Sequence, residues 1–135
     1  MISDLFEYIV EVKDSTASLG FVNGPWIGKA PENTEYPYIT MDSEDTEIKT
    51  YFNDKREYES SVCLNVFSDN PTVLYGVLDD LMLAVESSTN AISLPFNVQG
   101  VLKKSENIEC AGVDPKTNKP TYVGKVVYRF FIEEI

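Results

Sequence analysis

In residues 68–88, SDNPTVLYGVLDDLMLAVESS, apolar side chains return every three or four positions at Leu74, Val77, Leu78, Leu81 and Val85, while Asp79, Asp80 and Glu86 fall off the stripe. That spacing predicts an amphipathic helix. Ser68, Asp69 or Asn70 stands where an N-cap belongs, and Pro71 suits the first turn. A shorter helix is expected in SDLFEYIVEVK, with Leu5, Phe6, Ile9 and Val10 at helical spacing, Ser3 or Asp4 as cap and Glu7 in the first turn.

Elsewhere the period shortens to two or disappears. SLGFVNGPWIGKAPENTE holds three glycines and two prolines, which break both periodicities and leave a turn-rich connection around one short strand. YPYITM reads as a strand with Pro37 at its beginning or on an edge, because proline cannot donate to a ladder. The acidic run DSEDTE after Met41 is expected to be a solvated loop, with EIKTYF and EYESSVCLNVFS as strands around the turn NDK. In EYESSVCLNVFS, Tyr58, Val62, Leu64 and Val66 share one face and Glu57, Glu59, Ser61, Cys63 and Asn65 the other. AISLPFNVQG is a mixed linker with apolar residues at alternate positions. VLKKSENIECAGV and TYVGKVVYRFFIEEI flank the turn signal DPKTNKP and predict a closing hairpin.

The last strand has no simply polar face. Tyr122, Val126, Tyr128, Phe130 and Ile132 lie on one side; Val123, Val127 and Phe131 stand among Lys125, Arg129 and Glu133 on the other. Two readings stay open: a strand buried on both sides, or a subunit interface carrying Val123, Val127 and Phe131. The fold expected is α+β, a mostly antiparallel sheet packed by one long and one short helix, in a single domain over 1–135.

Composition narrows the function. With 135 residues and 43% hydrophobic content the chain can bury a real core despite a formal charge of -11. No apolar run approaches the roughly 18 residues of a membrane span, and the acidic start MISDLFEYIVEVK is unlike a secretory signal, so the expectation is a protein made in a cytoplasm and free of membrane. Twenty-two acidic residues against 11 basic ones argue against wrapping nucleic acid, whose phosphates are held mainly by Lys and Arg. Cys63 and Cys110 sit in strand-like runs and are expected to be buried thiols.

Without any histidine, the serine, cysteine and zinc sites that rely on imidazole are excluded, and neither nucleotide-binding glycine signature is present. GPWIGKAP, with Gly24 and Gly28 around Trp26 and a single lysine, is a weak phosphate cradle. Asp42, Glu44, Asp45 and Glu47 are hard oxygen ligands, but they lack the spacing and mid-loop glycine of an EF-hand. No carboxylate pair is marked for hydrolysis among the 22 acids. No catalytic residue, cofactor site or metal site is assigned, and a structural or assembly protein is favoured over an enzyme. The rivals from other classes are a metal-dependent hydrolase using carboxylates alone, and a ligand-binding module with Trp26, Tyr36 and Tyr38 as an aromatic pocket.

The element order carries a resemblance. A first helix, the P-Y strand start in YPYITM, a threonine-bearing strand after a variable loop, the long strand ending in NVFSDNP before VLYGVLDDLMLAV, a polar hairpin and GKVVYRFFIEE together resemble the tail-terminator, or tail-completion, proteins of long-tailed bacteriophages and their prophages. The long connection from Leu19 to Glu35 and the acidic insertion after Met41 depart from that pattern.

The resemblance implies a non-enzymatic virion protein, assembled in the host cytoplasm. Its subunits form a ring, commonly hexameric, that caps the tail tube, stops its polymerisation and joins the tail to the head. The implied partners are further copies of the chain, the tail-tube protein and a head-completion or connector protein. DNA passes through the lumen without specific binding. A head-completion adaptor or another minor tail protein is the nearest alternative. A ring needs a heterologous interface, for which Val123, Val127 and Phe131 are the candidates. A lumen that repels phosphate would be served by Asp42, Glu44, Asp45 and Glu47.

Overall fold

The computed structural model describes residues 2–50, 56–87 and 96–134. Helix α1 (Ile2–Asp14) leads through a 3-10 turn (Ala17–Leu19) to strand β1 (Asn23–Ile27). The long strands β2 (Tyr38–Thr50) and β3 (Arg56–Ser68), helix α2 (Pro71–Ser87), and the strands β4 (Phe96–Val113) and β5 (Pro120–Glu134) follow. The five strands form one sheet in the order β1-β2-β3-β5-β4. Only the β1–β2 pairing is parallel; β2–β3, β3–β5 and β4–β5 are antiparallel. This is the α+β arrangement expected, with β5 inside the sheet and β1 and β4 at its edges.

Both helices lie on one face. Leu5, Tyr8, Ile9 and Val12 of α1 and Leu74, Val77, Leu78, Leu81, Ala84 and Val85 of α2 are buried against Ile39 and Met41 of β2, Val62, Leu64 and Val66 of β3, and Val126, Tyr128, Phe130 and Ile132 of β5. The α1 stripe runs through Tyr8 and Val12 rather than Phe6 and Val10, which are only half-buried. The helix also begins at Ile2, so Ser3 and Asp4 lie inside its first turn instead of capping it. Tyr8 meets Phe130 edge to face at 5.7 Å and donates its hydroxyl to the Val85 carbonyl at 3.4 Å, tying α1 to both the sheet and α2. The start of α2 follows the expectation: Asn70 Oδ1 accepts from the backbone N–H of Thr72 (2.9 Å) and Val73 (3.3 Å), behind Pro71.

Two glycines set close approaches. Gly24 has φ 98°, and a Cβ there would stand 2.6 Å from the Ile39 carbonyl oxygen, so only glycine lets β1 lie against β2. Gly124 in β5 faces α2, where a Cβ would fall 2.9 Å from Leu78 Cδ2. Its bareness lets the helix sit down on the sheet.

The acidic run is not a loop. Residues 42–47 continue β2, paired Asp42 to Cys63, Asp45 to Ser61 and Glu47 to Glu59, with one bulge between Ser43 and Asp45. YPYITM and EIKTYF are therefore joined through it in one strand, apart from residues 51 and 52, which with the expected turn NDK lie outside the described residues. Backbone pairing with β3 is indifferent to side-chain polarity, and it carries the strand through a stretch that no apolar alternation marks. Pro37 sits just before β2, as expected, and its carbonyl accepts from Asn23 N–H at 3.0 Å. Residues 91–95 of the mixed linker lie outside the described residues, and β4 begins at Phe96.

Neither cysteine forms a disulfide among the described residues; Cys63 is half-buried and Cys110 exposed. Cys110 departs from the expectation because β4 is an edge strand whose side chains from Leu102 to Val113 face solvent.

Candidate functional site

Alternation along the long strands leaves a second face of the sheet, on which neither helix packs. The register assembles it in rows. Tyr38, Phe67, Val123 and Glu109 stand side by side at one end; then come Thr40, Asn65, Lys125 and Asn107; then Asp42, Cys63, Val127 and Ser105; then Ser61 with Arg129 and Leu102; and last Glu59, Phe131 and Gly100.

The middle rows are polar and cross-linked. The Asn65 carboxamide donates to Thr40 Oγ1 at 3.2 Å and to Asp42 Oδ2 at 3.0 Å, and Cys63 Sγ donates to Asn65 Oδ1 at 3.4 Å. Arg129 donates through Nη1 to Ser61 Oγ (2.9 Å) and through Nη2 to Glu59 Oε2 (3.1 Å). Lys125 Nζ lies 2.8 Å from Glu109 Oε1, and that hydrogen bond and charge raise the lysine pKa. Charges held in such pairs keep the face wettable and fix its side chains in place.

The candidate interface residues are placed unevenly. Val123, Val127 and Phe131 all lie on this face, but Val123 is only 4% exposed and offers almost no surface to a partner. Val127 and Phe131 are half-exposed, separated by Arg129. Phe131 lies beside Gly100 of β4, where an added Cβ would be 3.8 Å from Phe131 Cδ2, an ordinary contact. Of the candidate acidic set, Asp42 is exposed and bound to Asn65, whereas the side chains of Glu44, Asp45 and Glu47 lie outside the described residues. The polar network through Thr40, Asn65, Ser61 and Arg129 had a partial signal in the sequence: the alternation of EYESSVCLNVFS and the charged residues of the last strand. Thr40 gave none.

At the end of the face an aromatic stack forms. Phe67 and Tyr38 are stacked at 4.8 Å between centroids, Tyr38 and Tyr36 at 5.5 Å, and Trp26 meets Tyr38 edge-on at 6.5 Å. Tyr36 and Tyr38 form part of the wall of an open cleft of about 610 Å³, completed by residues 29–35, Asp69, Asp114, Pro115 and Lys116. The Trp26, Tyr36 and Tyr38 grouping suggested by the sequence is thus real as a cluster. Burial, Asp114, Tyr38 and Asp69 raise the pKa of Tyr36, and burial and Asp114 that of Tyr38.

Among the described residues, no three of Cys, Asp and Glu gather closely enough to hold a metal ion, and no helix is long and apolar enough to cross a membrane.

No protein-family model matches the chain, and no curated protein matches it in sequence. Among solved structures, a chain of the virion of a native gene transfer agent particle is similar to it at TM-score 0.64 and 12% identity, over 98% of this chain and 96% of that one. At that identity the likeness establishes a shared fold.

Proposed function

We propose that this chain is a structural protein of a phage-like virion, acting without catalysis as a ring-forming tail terminator. The observation that carries the reading is a fold shared, nearly end to end in both chains, with a component of a gene transfer agent virion. Insertions or missing elements would have shortened that coverage, so the whole domain is what the two have in common. The order of elements behind the resemblance to tail terminators supports the finer assignment.

In this reading the sheet face free of helices supplies one half of a heterologous contact, with Phe131 and Val127 as its apolar part and the Arg129–Glu59 pair as its register. Closure of such contacts gives a ring rather than a filament. The acidic stretch of β2, Asp42 to Glu47, faces the lumen or a tail partner, where repetition around the ring multiplies its repulsion of phosphate.

Native mass spectrometry across a concentration series tests the reading. The expected result is one closed ring of defined size, with Phe131→Asp shifting the population to monomer while its circular dichroism stays native. A monomer at every concentration that also fails to bind tail-tube protein would overturn it. Reversing Asp42, Glu44, Asp45 and Glu47 to lysine leaves the fold intact and makes the ring retain DNA at low salt; an unchanged electrophoretic mobility of DNA excludes the lumen role.

A further inference from the structure

The aromatic stack ends in a place that the ring reading leaves unused. Phe67 and Tyr38 lie on the sheet, whereas Tyr36 precedes β2 and closes the stack at the cleft, partly exposed. Around it the cleft collects four carboxylates, Glu32, Glu35, Asp69 and Asp114, against two ammonium groups, Lys29 and Lys116. We propose that this cleft binds an arginine-bearing basic segment of another protein, with a guanidinium lying on the Tyr36 ring as the next member of the stack.

Three features choose this occupant. A planar guanidinium continues a ladder of rings and is attracted by the ring quadrupole, which an ammonium satisfies less well because it cannot stack. The carboxylate excess supplies the countercharge, with Asp114 and Asp69 near enough to Tyr36 to raise its pKa through their charges. The cleft is open and bounded by three separate pieces of chain, the connection before β2, the turn before α2 and the β4–β5 turn, which gives room for a peptide segment. A small cation would leave most of about 610 Å³ unfilled.

Trp26 is the only tryptophan of the chain. It touches Tyr38 and borders residues 31–35 in an adjoining hollow, so its fluorescence reports on the cleft. The test is a fluorescence titration of the full chain with a capped Gly-Arg-Gly-Arg-Gly peptide, its lysine counterpart and its citrulline counterpart, at low and high salt. Saturable binding is expected for the arginine peptide, weaker binding for lysine and none for the neutral, isosteric citrulline, with affinity falling as salt rises.

Tyr36→Ala is expected to weaken the arginine peptide roughly fivefold or more. Asp69→Asn, an exposed site outside the sheet, is expected to weaken it while leaving the melting temperature unchanged. Equal response to all three peptides, absence of saturation, or full affinity in both variants overturns the proposal. Oligomeric mass is independent of this outcome, so a failure here is distinguishable from a failure of the ring.

Discussion

Strand β5 carries valine and phenylalanine on both of its faces, and the two sets meet different surroundings. On one, Val126, Tyr128, Phe130 and Ile132 are sealed under α1 and α2. On the other, Val127 and Phe131 stand half-exposed between Lys125, Arg129 and Glu133. Adjacent side chains such as Phe130 and Phe131 differ little in intrinsic hydrophobicity, so what separates them is whether a helix arrives. The two helices cover one side of the central strands β2, β3 and β5. Apolar groups left on the other side are held among ion pairs, which makes the face selective about what it meets rather than generally adhesive.

The sharpest way to break that contrast is to truncate the neighbours. Phe130→Ala removes a fully buried ring that packs against Tyr8 and is expected to cost about 3–5 kcal/mol in urea unfolding. Phe131→Ala in the monomer is expected to cost about 1 kcal/mol, in keeping with partial burial. Similar costs at both positions would mean that the second face is as tightly packed as the first, and the assignment of Phe131 to an interface would fall.

Glycines sharpen the comparison at a smaller scale. Gly124→Val inserts a branched side chain where even a Cβ would reach within 2.9 Å of Leu78, and about 1–3 kcal/mol of overpacking is expected. Gly100→Ala on the opposite side meets Phe131 only at ordinary contact distance, 3.8 Å, and should stay within about 0.5 kcal/mol of the parent. A Gly124→Val variant with unchanged stability would show that α2 has room to lift from the sheet.

Much of this was legible in the residues themselves. The stripe and cap of α2 and the two faces of β3 and β5 followed from periodicity, because there the apolar pattern and the backbone agree. The acidic run departs from its pattern because polarity alone suggests a loop, while β2 is maintained by its pairing with β3. Leu102, Ile108 and Val113 read as strand and are strand, yet they are exposed: alternation cannot tell an edge strand running past the helices from a covered one. The Asn65 hydrogen bonds to Thr40 and Asp42 span 25 and 23 positions, and the cleft beside Tyr36 joins residues near position 36 to Asp69 and Asp114, so the meeting of these segments is set by the sheet and not by any local pattern.

The least perturbing test lies on the covered face. The Tyr128 hydroxyl is buried with no hydrogen-bond partner among the described residues. Burial, with the nearby charges of Glu86 and Glu106 adding, pushes its pKa well above the ordinary tyrosine value, and burial pushes Tyr8 up to about 12. A raised folded-state pKa means that the fold holds the proton more tightly than the unfolded chain does. The associated stability is therefore complete below pH about 10 and is lost as pH rises toward the folded value. Tyr128→Phe removes an unsatisfied polar group and one of the protons involved, so unfolding at pH 7 should change by no more than about 1 kcal/mol, in the stabilising direction if at all. In urea unfolding between pH 10 and 11 the variant should lose stability less steeply than the parent, whereas Phe131→Ala on the other face should leave that slope untouched. A destabilised Tyr128→Phe at pH 7 would instead reveal a working hydrogen bond from this hydroxyl, and the two faces of β5 would then both depend on polar contacts.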